Sequence, residues 1–185
     1  MFSFRLGSGL SLELLAPRHA QELYVAVDQD RDHLRPWMAW VDSTRSVADI
    51  QAFISTTLDQ VANNSGFQTV IRSGERIVGV VGMHRIDWRN KFTSLGYWLV
   101  KDAQGKGIMT QACAAYVAHS FAELGLHRVE IRCATENLKS RAIPERLGFV
   151  FEGTLREAEW VNGGFVSHAV YGLLSSEWAE ASGAS

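Results

Sequence analysis

Residues Ile108 to Leu124 read as a helix that is apolar on nearly every face, through Ile108, Met109, Ala112, Cys113, Ala114, Ala115, Tyr116, Val117, Ala118 and Phe121. Such a helix holds in water only where other elements cover most of it. The cover must come from the rest of the chain, and the segments on either side of the helix read as strands.

Leu10 to Leu15 alternates Leu10, Leu12 and Leu14 against Ser11 and Glu13, the period of an early strand. Pro17 stands where a helix can begin. Leu23, Val27 and Leu34 continue an apolar face towards Trp37 and Trp40. A second helix is expected from Ser46, with Val47, Ile50, Phe53, Ile54 and Leu58 at helical spacing and Asp49 placed for a capping box. Strands follow at Phe67–Arg72, Arg76–Trp88 and Phe92–Val100, with turns at Ser73-Gly74-Glu75 and Asn90-Lys91. Beyond the apolar helix, Val129–Cys133 reads as a short strand and Ser140–Leu147 as a short helix. Gly148 ends that helix and a strand starts at Phe149. Val161-Asn162-Gly163-Gly164 turns the chain into Phe165–Leu174, which is expected to close the sheet. Ala179–Ser185 is small and polar, a tail expected to fray. The pattern specifies a mixed α/β fold, and 185 residues without a linker or repeat fit one domain, 1–185, better than two.

Composition narrows the function. A formal net charge of −2 leaves no general basic field for nucleic acid or an anionic membrane. Cys113 and Cys133 show neither a disulfide framework nor zinc spacing, and they read as two buried thiols in a reducing compartment. The six histidines form no HExxH-type ligand pair, so no metal is expected. No apolar run reaches the roughly 18 residues of a membrane span. The N-terminus lacks the pattern of a signal peptide, and the expected location is cytoplasmic.

The chemistry is carried by Gly96-Tyr-Trp-Leu-Val-Lys-Asp-Ala-Gln-Gly-Lys-Gly-Ile-Met-Thr110, a strand that enters a glycine loop and then the buried helix. Unpaired N–H groups and the positive dipole end at a helix start attract phosphate. Gly105 and Gly107 let the backbone approach a ligand closely, and Lys106 adds a cation. The spacing does not fit GxxxxGK[ST]. A dinucleotide GxGxxG fails as well, because Thr110 follows Gly107 and the preceding strand belongs to a meander.

A third pattern, Gln/Arg-x-x-Gly-x-Gly/Ala, is the pyrophosphate loop of GNAT acetyltransferases. Gln104-Gly-Lys-Gly107-Ile-Met109 resembles it at its first two fixed positions and departs at Met109. Asn137, Ser140 and Gly148-Phe149 resemble the second GNAT signature. Leu34-Arg-Pro-Trp37-Met-Ala-Trp40, Gly96-Tyr97-Trp98, Asn162-Gly, Val170-Tyr-Gly-Leu-Leu and Glu177-Trp178 resemble the RimJ/RimL-type branch. The likeness spans nearly the whole chain. It implies a single α/β (α+β) N-acetyltransferase domain over residues 1–185, a mixed, mostly antiparallel central sheet flanked by helices.

The resemblance also implies roles. Acetyl-CoA is the co-substrate, and acetyl passes directly to an amine. Trp98, Leu99 and Val100 map to the strand whose backbone holds the pantetheine arm and supplies an oxyanion donor. Amides from Gln104 to Met109 (Gln104, Gly105, Lys106, Gly107, Ile108, Met109) hold the pyrophosphate, and Asn137 bonds the pantetheine. Many members use a tyrosine as acid for the leaving thiolate. That position is Pro144 here, and a RimL-like serine three residues after the Asn is Ser140. Asn137 also suits a turn or N-cap and Ser140 a helix N-cap, with Pro144 then falling in the first turn. The strand glutamate that serves as base in many relatives is Ser94 here. An aspartate before the final Val-Tyr is missing too, with Ser167 nearby. His84, Asp87, Glu159 and His168 are candidates for the base by type. The acceptor is read as a protein N-terminal α-amine. Small amines or polyamines, a catalytically silent CoA-binding module and a Rossmann-type nucleotide binder are the alternatives, and a homodimer is left open. Trp37, Trp40 and the last hairpin are expected either to build the acceptor side or to anchor the core.

Overall fold

The computed structural model describes residues 3–7 and 9–182. Eight strands form one sheet among the described residues: β1 (Ser3–Gly7), β2 (Leu10–Leu14), β3 (Gln68–Ser73), β4 (Arg76–Asp87), β5 (Phe92–Leu99), β6 (Arg128–Ala134), β7 (Val150–Val161) and β8 (Gly164–Leu174). The helices are α1 (Ala20–Gln29), α2 (Arg31–Leu34), α3 (Val47–Ala62), α4 (Ile108–Ala122), α5 (Leu138–Arg146) and α6 (Ser175–Ser182). The sheet order is β1-β2-β3-β4-β5-β6-β8-β7, and every neighbouring pair is antiparallel except β5 and β6.

The apolar helix finds its cover on one face of this sheet. Met109, Ala112, Cys113, Tyr116 and Val117 of α4 are buried in one cluster with Val81 and Met83 of β4, Leu95 and Leu99 of β5, and Val129, Ile131 and Cys133 of β6. Leu15, Leu23, Ile50, Ile54, Val70 and Val80 fill a second cluster on the opposite face, under α1 and α3. Strand side chains alternate between the two faces, so each central strand serves both layers. Ser46 caps α3 as its sequence predicts. Its Oγ accepts from the Asp49 amide at 3.3 Å, and Asp49 Oδ2 accepts from the Ser46 amide at 2.8 Å.

Four readings change. A strand precedes Leu10, namely β1, which the alternation did not reveal. The last strand does not close the sheet: β8 inserts between β6 and β7, leaving β7 at the edge. The short helix starts at Leu138 with Asn137 as N-cap, so Ser140 is not the cap and Pro144 lies inside the helix, not in its first turn. Residues 179–182 belong to α6, while 183–185 lie outside the described residues.

Candidate active site

The parallel pair at the centre of the sheet is short. β5 and β6 pair from Phe92↔Arg128 to Leu95↔Ile131 and then part. Beyond Leu95, β5 stays with β4 and β6 stays with β8, so a gap opens between two central strands. The Val100 N–H is taken by Val78 O at 2.9 Å. Backbone groups alternate sides along a strand, so Trp98 also turns its N–H and C=O to β4, while Tyr97 and Leu99 turn theirs to the gap. Of the three residues expected to offer backbone here, Leu99 turns its backbone groups to the gap, and Trp98 and Val100 turn theirs to β4. Backbone groups inside a protein ordinarily find partners, and those facing a gap are available to a ligand.

α4 begins at the end of that gap. Its N-cap is Gly107 at φ 72°, and no side chain caps it. The first-turn amides, including those of Ile108 and Met109, therefore remain open. Gly105 (φ 73°) is also left-handed, and a Cβ there would touch nothing within 4 Å; at Gly107 it would touch only Gln111 Nε2, at 3.8 Å. The loop is therefore a clear concavity with the positive end of a helix behind it. Met109, which departs from the small residue of the loop pattern, buries its side chain in the core. Lys106 is exposed. Gln104 is tied by its side chain to His33 Nε2 at 2.7 Å and accepts from Lys139 Nζ at 3.1 Å.

α5 places its start on the far side of the gap. Asn137 Oδ1 accepts from the Ser140 amide at 3.2 Å, the N-cap interaction. Ser140 is half-buried; Tyr97 Oη donates to its carbonyl at 3.0 Å, and its Oγ lies 3.4 Å from Tyr97 Oη. Burial pushes the Tyr97 phenol well above the usual tyrosine range, and it raises the Cys133 thiol beside it. Asn137 and Ser140 thus stand together, Asn137 as a cap and Ser140 with its hydroxyl at the gap.

The gap opens into a cavity of about 940 Å³ whose walls include Trp37, Trp40, Tyr97, Trp98, Asn137 and Ser140. Trp37 and Trp40 therefore line this cavity, and the Trp40 and Trp98 rings lie 6.0 Å apart. The Asn162 side chain in the β7–β8 turn donates to Arg35 O and, at 3.4 Å, to Met38 O. This ties the hairpin to the Trp37 segment, a contact the turn pattern did not announce. A bulge in β7 between Leu155 and Glu159, with Glu157 at φ 49°, re-aims Glu159 into the cavity. Ser167 Oγ accepts from the Glu157 amide at 3.0 Å and so holds the bulge.

Of the four bases named by type, three line the cavity: His84, Glu159 and His168. Glu159 Oε2 is 3.1 Å from His168 Nε2. Asp87 is outside this wall and is engaged by Asn90 in the β4–β5 turn. Ser94 faces a second cavity of about 330 Å³. Among the described residues, no group of three His, Cys, Asp or Glu side chains is arranged to hold a metal, and no helix is long and apolar enough to cross a membrane.

A central sheet that parts beside an uncapped helix start, with a hydroxyl opposite and an aromatic cavity behind, has the form of a ligand-binding site whose helix end suits an anionic group. The acetyltransferase (GNAT) domain family matches residues 10–150. Bacillus subtilis (strain 168) YdaF, provisionally named a ribosomal N-acetyltransferase, is 33% identical over 96% of this chain and 98% of its own. The ribosomal-protein-serine acetyltransferase of Escherichia coli (strain K12) is 28% identical over 93% of this chain and 96% of its own. The crystal structure of the microcin C7 self-immunity acetyltransferase MccE, in complex with acetyl-CoA and AMP, is 31% identical, covers 91% of this chain and 94% of its own, and superimposes with a TM-score of 0.86. The chain belongs to the GNAT acetyltransferase family.

Proposed function

We propose that residues 1–185 form one N-acetyltransferase domain that moves acetyl from acetyl-CoA to the α-amine of a protein N-terminus. The observation that carries this reading is the parting of β5 from β6 directly in front of the open start of α4. The amides of Gly105 to Met109 suit the pyrophosphate, with Gln104 bracing the loop and Lys106 adding charge. The Leu99 backbone suits the pantetheine arm, and its amide is aimed to donate to a carbonyl oxygen as negative charge develops there. The Asn137 side chain, whose oxygen is occupied as a cap, has an NH₂ left to offer that arm. Ser140 Oγ is the proton donor to the departing sulfur, because a hydroxyl both accepts and donates and can be re-supplied from its neighbours.

The cavity supports this acceptor class. Its aromatic wall suits the uncharged first residues of a peptide, and its carboxylates are few. Asp49 is committed to the α3 capping box, which leaves Glu159 to meet an ammonium. A polyamine carries several cations and gains less here than a chain with one. The E. coli and B. subtilis relatives, named for ribosomal substrates, support the same choice. A net charge of −2 supplies no general basic field for nucleic acid.

Two measurements test the reading. Saturating acetyl-CoA should raise the melting temperature, by the equivalent of about 2.7 kcal/mol at a hundredfold excess over its dissociation constant. NAD or ATP alone should not. In an acceptor screen that follows CoA release, peptides with free N-termini should outperform polyamines and aminoglycosides. Acetyl-CoA binding without turnover on any amine would instead identify a silent CoA-binding module.

A further inference from the structure

The strand carboxylate that many relatives use as base is Ser94 here, yet the acceptor amine must still lose a proton before it attacks. Another titratable group, His84, borders the same small cavity as Ser94. Gly96 is the first residue of β5 beyond its pairing with β6, where the gap begins. A Cβ at Gly96 would lie 2.0 Å from His84 Nε2 and 2.4 Å from His84 Cε1. The imidazole of His84 therefore occupies the space that any larger residue at 96 would fill. β4 places it there: Gly82 pairs with Gly96, and the β4–β5 register then breaks between Met83 and Ile86. His84 lines the large cavity and the second, smaller one, and so stands between the acceptor side and a separate polar opening.

We propose that His84 is the general base of this enzyme, taking the acceptor's proton on Nε2 and passing it to solvent through the smaller cavity. The proposal rests on the acetyl-transfer reading above. With the ring proton on Nδ1, Nε2 is an acceptor. The acceptor enters as an ammonium, and one N–H bond breaks as His84 Nε2 gains that proton and the nitrogen keeps the electron pair. That pair forms the C–N bond, and the C–S bond breaks as Ser140 Oγ gives a proton to sulfur. The second proton lost by nitrogen replaces the one Ser140 gave. One proton is released overall, and it leaves from His84.

The charges around the ring suit this role. Arg85 and Asp87 of β4, and Glu130 and Arg132 of β6, border the smaller cavity with Ser94. Glu159 of β7, His168 of β8 and Asp49 of α3 border the larger one, and Gln60 Nε2 of α3 donates to the His84 carbonyl at 3.2 Å. Glu130 is committed to Arg128 and Arg132, with Arg132 Nε at 2.5 Å. The ring is open to solvent through the cavity mouths, yet partial withdrawal from water among these walls lowers His84 below the ordinary histidine value of 6.5, against the pull of Glu159. His84 is therefore neutral, and able to accept, at neutral pH.

The test is the pH profile of kcat/KM for a peptide α-amine with acetyl-CoA. In the unaltered enzyme the acidic limb should break below pH 6.5, well under the ~7.7–8.0 of a free α-amine. In His84→Gln the rate at pH 7 should fall on the order of 10²-fold and the limb should move up to the acceptor's own titration. Added imidazole should restore part of the activity of His84→Ala. A readout apart from activity is the His84 ring proton resonance of the free protein, which should titrate below pH 6.5 and shift when the peptide is added. A wild-type limb that follows the acceptor amine, an unchanged limb in His84→Gln, or a ring resonance indifferent to peptide would overturn the proposal. The wild-type profile decides the matter even if the variants fold poorly. A wild-type protein that acetylates no amine at all gives a different result and overturns the activity reading itself.

Discussion

Ser140→Ala is expected to lower turnover on the order of 10²-fold or more while acetyl-CoA affinity stays near its starting value, because the hydroxyl acts on the leaving sulfur and not on binding. The structure sharpens this test. Asn137, not Ser140, is the N-cap of α5, and it uses the Ser140 backbone amide, which alanine retains. Removing the Ser140 hydroxyl therefore leaves the cap intact. Asn137→Ala is the contrasting variant: it removes the cap and should cost about 1 kcal/mol of stability. Stopped-turnover kinetics and thermal melts of both variants separate the two effects. Normal turnover in Ser140→Ala would end its assignment as proton donor and turn attention to Tyr97, whose phenol lies 3.4 Å from Ser140 Oγ.

The second large effect is at the loop. Gly107→Trp should abolish the whole acetyl-CoA-dependent rise in melting temperature, the equivalent of about 2.7 kcal/mol at hundredfold excess. A Cβ at Gly107 meets only a flexible glutamine end at 3.8 Å, so the indole would project into the open concavity where a phosphate is expected. The free protein should lose only about 1–2 kcal/mol, for placing a side chain at φ 72°. A ligand-induced shift that survives this substitution would place the pyrophosphate elsewhere.

Much of the architecture follows from local sequence. The apolar helix required a covering sheet, Ser46 and Asp49 signalled a cap, and the glycine turn led into an uncapped helix start where expected. These features depend on residues a few positions apart, and their physics is local: period, cap and backbone freedom. The family resemblance was legible for the same reason, since its patterns lie within short segments.

What depends on distant contacts was not legible in the same way. Alternation along Phe165–Leu174 identifies a strand, but nothing local says that it inserts between β6 and β7. That choice is made by pairing residues some 40 positions apart, such as Cys133↔Ala169. Asn137 and Ser140 competed for one cap position in the sequence, and only the helix start at Leu138 assigned it. His84 was one candidate in four by residue type. Its place over Gly96 comes from strand register and a break in the β4–β5 ladder, and Glu159 reaches the cavity through a bulge in an edge strand. The sequence alone determined the layers, the loop and the family, because each is written in neighbouring residues. The tertiary structure decided which side chains share the cavity, because burial and register bring together groups that no local pattern links.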